Sequence, residues 1–342
     1  MRFHNLDRFR VVPGQVIMPG QNSDLTLGAK SMMASSTKAW VVLMVTALIV
    51  GLAACGSSGK SESEKAHEMV EGFMKAYAAG NADEMRSFLG EAAGSYDLSL
   101  ITTDVLRKSI EKAPLSQITI PEPQETYPST YETRVSFHVG AETTSLKLMI
   151  LLKDKDQPTV MPRFASLSLE NLKDIAVTVN GATPATQRPD ILPGSYTFAT
   201  ANPYLSTVEK TITVTKTESV LMNGPILNEK GERAFRLTLQ RAVLACLEER
   251  TLSSSCGLNV TGGPGGPAEG SVIRNMAPED ITRLGTSIKV GMVYQSSTVA
   301  TTQEPLGTIS YECERQPTAC TGPQFREARI DMTKPKLEVE WR

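Results

Sequence analysis

Few residues in this sequence are of types that carry out catalysis or hold a metal. Three histidines occur among 342 residues, and His4 lies in a leader that we expect to be absent from the mature protein. His67 and His138 lack a nearby acidic cluster at ligand spacing, so His67 is interpreted as a residue on the polar face of a helix. No Gly-x-Ser-x-Gly motif for a nucleophilic serine is present. We therefore predict no catalytic residues, no metal and no cofactor.

A glycine-rich run at residues 261–267 is the one segment that invites comparison with a phosphate-binding loop. It lacks the Lys-Ser or Lys-Thr ending of such loops, and its two prolines remove backbone donors. We interpret it as a mobile linker. With 35 Lys and Arg against 37 Asp and Glu, the chain has no net positive field, and no basic patch is evident in the sequence. Nucleic acid is therefore set aside as a partner.

An uncharged segment at residues 40–52 follows Lys38 and ends at Ala53, Ala54 and Cys55. A charged start, an apolar stretch and small residues at the end are the three parts of a signal peptide. A membrane-spanning helix needs about 20 apolar residues, so this run is too short for a retained anchor. Residues 56–59 are glycine and serine, which predicts a flexible tether.

Leu52-Ala53-Ala54-Cys55 resembles the lipobox of bacterial lipoproteins. The resemblance implies a lipid on the Cys55 sulfur, cleavage before Cys55, and an extracytoplasmic location at the cell membrane. The leader is long for such a signal, and Met32 or Met33 would give an ordinary one. We therefore expect residues 1–31 to belong to an over-extended gene model, residues 1–54 to be leader and signal peptide, and residues 55–61 to be lipidated cysteine and tether.

Four further cysteines remain in the exported part: Cys246, Cys256, Cys313 and Cys320. An even number of cysteines in an exported chain predicts disulfides. Three pairings are possible, and the close spacing favours Cys246 with Cys256 and Cys313 with Cys320. A four-cysteine zinc site is the alternative, but neither pair has the C-x-x-C spacing of zinc knuckles.

Residues 62–172, the first segment, begin with helices and continue with strands. Apolar residues at helical spacing predict helices over 64–79 and 103–112, and Asn81 with Glu84 predicts the start of another between them. Alternation then predicts strands at 131–139, 143–152 and 164–169, with a polar turn at 153–156. This α+β order, with the words AHEMVEGF and AGNAD, resembles NTF2-like (cystatin-like) domains of bacterial lipoproteins. The resemblance implies a helix cradled by a curved antiparallel sheet.

Residues 173–222, the middle segment, have the pattern of a small all-β domain. Ile175, Val177 and Val179 alternate into Asn180-Gly181, a strong signal for a hairpin turn. Leu192-Pro193-Gly194 indicates another turn, and residues 211–215 a last strand. This succession of turn motifs and short strands is similar to that of the small β-domains of bacterial surface and membrane proteins.

Residues 223–342, the last segment, repeat the helix-then-strand plan. A helical stripe runs from Phe235 to Leu247, and strands are predicted at 288–294, 307–313, 328–332 and 337–341. A helix ending at a cysteine, with a second cysteine ten residues on, resembles the last domain of several actinobacterial lipoproteins. It implies a second, disulfide-stapled cystatin-like α+β domain.

These observations predict a non-catalytic envelope lipoprotein, an interaction or assembly module whose partners are the membrane, through Cys55, and an envelope protein or cell-wall polymer. Two alternatives remain open. A cavity inside the first segment would favour a small-ligand carrier or sensor. Because isomerases of the NTF2-like fold place an acid and a tyrosine in that cavity, Tyr77 and Tyr96 with Asp97 or Asp104 are the residues for an enzyme.

Overall fold

The computed structural model describes residues 60–152, 157–261, 266–314 and 320–342. Residues 1–59, with Cys55 and the predicted leader and lipobox, the predicted turn at 153–156 and most of the glycine-rich run lie outside the described residues. Residues Gly59–Arg342 form one compact unit. No helix in the described ranges is long and apolar enough to cross a bilayer.

The described part of the chain is mixed α+β. Its α-helices are α1 (Glu62–Ala78), α2 (Ala82–Leu89), α3 (Thr103–Lys112), α4 (Glu229–Glu248) and α5 (Pro278–Thr286). Short 3-10 turns occupy Gly90–Ser95, Leu98–Leu100 and Glu170–Leu172. The strands are β1 (Leu115–Thr119), β2 (Gln124–Tyr127), β3 (Thr130–Val139), β4 (Glu142–Leu151), β5 (Thr159–Pro162), β6 (Ala165–Ser168), β7 (Val177–Val179), β8 (Asp190–Ile191), β9 (Gly194–Thr200), β10 (Leu205–Thr207), β11 (Thr211–Val214), β12 (Val220–Leu221), β13 (Pro225–Leu227), β14 (Val272–Met276), β15 (Val290–Met292), β16 (Val299–Thr302), β17 (Ile309–Cys313), β18 (Ala328–Asp331) and β19 (Glu340–Trp341).

The helices of the first segment begin and end where local signals place them. The Ser61 hydroxyl accepts from the Glu64 N–H, and the Glu64 carboxylate accepts from the Ser61 N–H. This capping box begins α1 at Glu62, two residues earlier than predicted. Asn81 accepts from the Glu84 N–H and starts α2. The predicted bounds of α3 agree with the structure.

The sheet of the first segment has the order β1-β3-β4-β5, with β2 on the same side of β3 as β1. β3 and β4 pair antiparallel through ten consecutive residues. Their alternation buries one face and exposes the other. α1 packs on the buried face, where Phe73, Tyr77 and Phe137 are almost wholly buried. Met74 and Met85 belong to the same hydrophobic core.

The middle segment is built from short ladders, β11-β9-β7 and β12-β6-β8, the latter containing β6 of the first segment. Asn180 and Gly181 both have positive φ, as the predicted turn requires. The hairpin they close is one bridge long, between Val179 and Ala182, because β7 takes β9 as its ladder partner. The hairpin turn predicted at Asn180-Gly181 is therefore confirmed.

The last segment contains two sheets, β14-β17 and β15-β16-β18-β19, packed with α4 and α5. The strand predicted at 288–294 is limited to β15, and that at 337–341 to β19. Residues of the middle and last segments share one hydrophobic core, which includes Tyr196, Phe235 and Ile330.

Candidate functional site

The tyrosine proposed for an enzymatic cavity, Tyr77, lies in the core of the first segment. Its side chain is 2% exposed, and its hydroxyl donates to the carbonyl of Pro193. Burial, and then proximity to Tyr196, raise the pKa of Tyr77 well above its ordinary value. The hydroxyl therefore stays protonated and joins α1 to the Leu192-Pro193-Gly194 turn of the middle segment.

Tyr96 and Asp97 lie together at a second contact between the first and middle segments. The Asp97 carboxylate accepts from the Thr186 hydroxyl at 2.5 Å and from the Ser99 N–H at 3.0 Å. The Asp190 carboxylate accepts from the Asp97 N–H at 2.9 Å, and the Asp190 N–H donates to the Asp97 carbonyl at 3.1 Å. Asp190 could not be identified as a site residue from the sequence, because only the folding of the chain brings it next to Asp97.

The two carboxyl groups of this contact are shifted in opposite directions. Burial raises the pKa of Asp190, and the Asp97 charge raises it further. Burial also opposes ionisation of Asp97, but hydrogen bonds from Thr186 and Ser99 outweigh it and lower the pKa of Asp97. Burial, followed by the Asp190 charge, raises the pKa of Tyr96, whose ring packs on Phe164.

The remaining candidate residues are dispersed. Asp104 lies in the first turn of α3. His67 is on α1, with Nε2 3.3 Å from Glu71 Oε1 and Nδ1 3.5 Å from Glu122 Oε2. His138 Nε2 is 3.1 Å from the Thr143 hydroxyl. Within the ranges that the structure describes, no group of three or more His, Cys, Asp or Glu residues is arranged to hold a metal.

The cysteines of the last segment pair as the spacing favours. Cys246 and Cys256 form one disulfide with Cα atoms 5.9 Å apart, and Cys313 and Cys320 form the other at 5.8 Å. The first closes the loop after α4, and the second joins the end of β17 to the chain that leads toward β18. Both pairs thus lie at the Cα separation of a disulfide.

Arg274 organises the loop closed by the first disulfide, and it was not anticipated. Its side chain on β14 is 2% exposed. Its guanidinium donates to the carbonyls of Glu249, Thr251 and Leu258 at 2.6–3.0 Å. A buried arginine is tolerated only when its donors are satisfied, and here backbone carbonyls fulfil that need. Arg274 is accordingly a structural residue of the α4–β14 connection.

Asn180 performs a comparable task at the junction of the first and middle segments. Its amide nitrogen donates to the carbonyls of Val105 and Ser195, and its amide oxygen accepts from the Thr197 N–H. The Ser109 hydroxyl accepts from the Ser195 N–H at 2.9 Å beside it. These buried bonds attach α3 to β9 directly.

A large surface cleft lies between the middle and last segments. Its volume is about 700 Å³, and it is lined by residues of 170–174, Val208, residues 223–225 and residues 292–297. Tyr294 stands at this cleft with 88% of its surface exposed, and Val208 is half-exposed. The sequence placed Tyr294 in a strand, whereas β15 ends at Met292, so Tyr294 belongs to the β15–β16 loop.

The loop that carries Tyr294 is held by its own hydrogen bonds. The Val293 N–H donates to the Val299 carbonyl, and the Ser296 hydroxyl accepts from the N–H groups of Thr298 and Val299. The Ser297 hydroxyl donates to the Asp174 carboxylate across the cleft. An aromatic side chain is therefore exposed on a hydrogen-bonded loop, and tyrosine is among the residue types enriched at protein interfaces.

The chain matches no protein-family model, and no curated protein and no solved structure is detectably similar to it.

Proposed function

We propose that this chain is a non-catalytic lipoprotein that is anchored through Cys55 at the outer face of the cytoplasmic membrane and binds another envelope component, protein or cell-wall polymer. The signal-like run and the lipobox resemblance support the location. The observation that carries the binding function is Tyr294, an almost fully exposed aromatic residue on a hydrogen-bonded loop at the edge of a cleft.

For the first segment we further propose the NTF2-like arrangement, and for the last segment the cystatin-like one. The packing of α1 on the buried face of the β3–β4 sheet supports the first proposal. The position of α4 against β14 and β15, with a disulfide at its end, supports the second. Neither arrangement by itself specifies a function.

The filled interior of the first segment favours binding at the surface over carriage of a small ligand inside it. Phe73, Tyr77 and Phe137 occupy the space beneath the sheet. A cavity of about 310 Å³ beside α1 is open to the surface and has charged residues, Glu62, Lys65 and Glu68, in its lining together with Met69, Phe88, Leu152 and Pro158. A carrier of apolar ligands is better served by an apolar interior cavity.

The groups proposed for an enzyme have structural partners that account for them. Tyr77 bonds the Pro193 carbonyl, and Asp97 bonds Thr186 and Ser99. These contacts join parts of the chain that are distant in sequence. A structural role therefore accounts for the burial and hydrogen bonding of these residues, and no catalytic role is needed. This supports a binding function over the enzymatic alternative.

The anchor is tested by replacing Cys55 with Ala in the full-length chain expressed in its own cells. Both acylation and the subsequent cleavage require the thiol, so the variant should lose detergent-phase partitioning or remain unprocessed. Ser57→Ala, two residues away, is the matched control and should behave as the wild type. Unchanged partitioning of the Cys55→Ala protein would refute the anchor.

The binding function is tested by crosslinking the full-length chain in intact cells and identifying what it captures. Tyr294→Ser should reduce capture of that component about tenfold, the scale of one interface hot spot. Tyr127→Ser, which removes a tyrosine that is 73% exposed on β2, should leave capture unchanged. Ala substitution of His67, Asp97 or Asp104 should also leave capture intact, and loss of a measurable turnover in any of these three would overturn the non-catalytic proposal.

A further inference from the structure

Three cations lie side by side on the exposed face of the β3–β4–β5 sheet. Arg134 on β3 is directly opposite Lys147 on β4, and Arg163 follows β5 with its N–H bonded to the Lys147 carbonyl. Because strand residues two apart share a face, all three are on the side opposite the core residues Val135, Leu146 and Leu148. We call Arg134, Lys147 and Arg163 the cationic row.

A fourth cation completes the site from another part of the chain. Residues 215–218 run beside β4, where the Thr215 carbonyl accepts from the Thr144 hydroxyl. Lys216 of this segment lines a pocket of about 280 Å³ that the cationic row also lines. The other lining residues are Ser145, Thr215, Thr217 and Glu218. Four cations and one carboxylate therefore surround one pocket in a chain whose net charge is −2.

This arrangement is unfavourable for the folded chain on its own. Like charges at directly opposite positions of an antiparallel pair are destabilising. Glu132 pairs with Lys147, whereas no ion pair within the described ranges involves Arg134, Arg163 or Lys216. An anionic ligand would relieve the repulsion and use the bidentate donors of the two arginines.

The shape of the site selects the class of anion. Neighbouring strands are about 4.8 Å apart, so the cationic row is a line of charges across three strands and not a single point. The 215–218 segment makes the site concave. We propose that the cationic row and Lys216 bind a linear chain of phosphate groups, a phosphate-bearing polymer in preference to a single phosphate ion or a flat bilayer. This site is separate from the Tyr294 cleft, so each is tested alone.

The test measures binding of tripolyphosphate to the Gly59–Arg342 unit, which contains all the hydrophobic cores described above. Binding should weaken as salt is added and should exceed that of orthophosphate by about tenfold or more. The double variant Arg134→Gln/Arg163→Gln should lose tripolyphosphate binding by at least about tenfold, since two of the four cations and both bidentate donors are removed.

The matched control is Arg233→Gln/Arg241→Gln, which removes two exposed arginines of α4 and changes the net charge equally. It should bind as the wild type does. The thermal midpoint of the Arg134→Gln/Arg163→Gln protein should be equal to or above that of the wild type, because repulsion is relieved; a drop would show that the arginines have a structural role. Equal loss in both double variants, orthophosphate binding as tight as tripolyphosphate, or tighter binding to phosphatidylglycerol vesicles would each overturn the proposal.

Discussion

The first and last segments both place a helix against antiparallel strands, but they are stabilised differently. β3 and β4 pair over ten residues without a break, and Phe73, Tyr77 and Phe137 fill the space beneath them. The longest ladder of the last segment, β14–β17, has five pairs. That segment contains both disulfides and the buried Arg274.

The difference shows which interactions stabilise the last segment in place of a long, continuous strand pairing. Long paired strands satisfy their backbone groups within the sheet and bury a wide apolar face. Short strands leave connections whose carbonyls need other donors, and in the last segment the Arg274 guanidinium supplies them. Cross-links then restrict the unfolded chain where packing contributes less. The first segment should therefore respond little to changes that disrupt the last one.

The largest effect is expected for Arg274→Met. The substitution removes the charged donors of the Leu258 carbonyl, which is buried, and of the Glu249 and Thr251 carbonyls, which are partly buried, so the free energy of unfolding should fall by about 3–5 kcal/mol. Arg274→Lys should recover little, because an ammonium cannot reach several carbonyls in the geometry of a guanidinium. Denaturant unfolding measures the loss, and hydrogen exchange locates it.

The control for this prediction is Arg250→Met, which removes an exposed arginine paired with Glu314 at 3.2 Å. It should change stability by less than about 0.5 kcal/mol. Exchange protection of the β3–β4 amides should stay near the wild-type level in the Arg274→Met protein. Equal loss of protection in both segments would show that the two are not separately stabilised.

Reduction of the disulfides should have the next largest effect. Opening the ten-residue loop between Cys246 and Cys256 should lower stability by about 2.7 kcal/mol from chain entropy alone. Cys246→Ala/Cys256→Ala, compared with Cys313→Ala/Cys320→Ala, separates the two contributions. Faster exchange should appear first in residues 249–258 for the former pair. Unchanged thermal midpoints in both double variants would contradict this account of the last segment.

The smallest effect concerns the Asp97–Asp190 contact, where the two carboxylates should respond to pH in opposite senses. The pKa of Asp97 is lowered by folding, so its contribution is present above the unfolded pKa of about 3.9 and is lost as pH falls through the folded value. Asp97→Asn should thus cost about 1 kcal/mol at pH 7, the scale of a capping bond, and less at pH 3.

The pKa of Asp190 is raised, so its ionised form is disfavoured in the folded chain at neutral pH. Asp190→Asn should therefore be neutral or stabilising at pH 7 and closer to neutral at pH 3. Thermal melts from pH 3 to pH 7 measure both variants. Parallel pH profiles for Asp97→Asn and Asp190→Asn would refute the assignment of opposite shifts.

The helices of the first segment were predictable because their signals are local. Asn81 caps the helix that follows it, and apolar spacing marks the buried faces of α1 and α3. The missed α5 also carries a local signal, with Pro278 at its first position and acidic residues in its first turn. That helix could have been found from the sequence.

Other features depend on tertiary register and could not be read from spacing. β14 buries Arg274, so its alternation does not separate polar from apolar residues as an ordinary strand does. The cationic row comprises residues 13 and 16 positions apart, and only the β3–β4–β5 pairing brings them together. The expectation that no basic patch exists was therefore wrong for a short cluster. The predicted boundaries at 172 and 222, the lipid on Cys55 and the envelope partner stay predictions.

The proposed function requires that Tyr294 and its cleft contact a partner in the envelope. The direct measurement places a photoreactive aromatic residue at position 294 of the full-length chain and, separately, at position 127, and illuminates intact cells. We predict a discrete adduct from position 294 and none from position 127, with the adduct lost when Val208 at the same cleft is replaced by Asp. Adducts of equal yield from both positions, or none from position 294 in cells where the protein is abundant, would contradict the account.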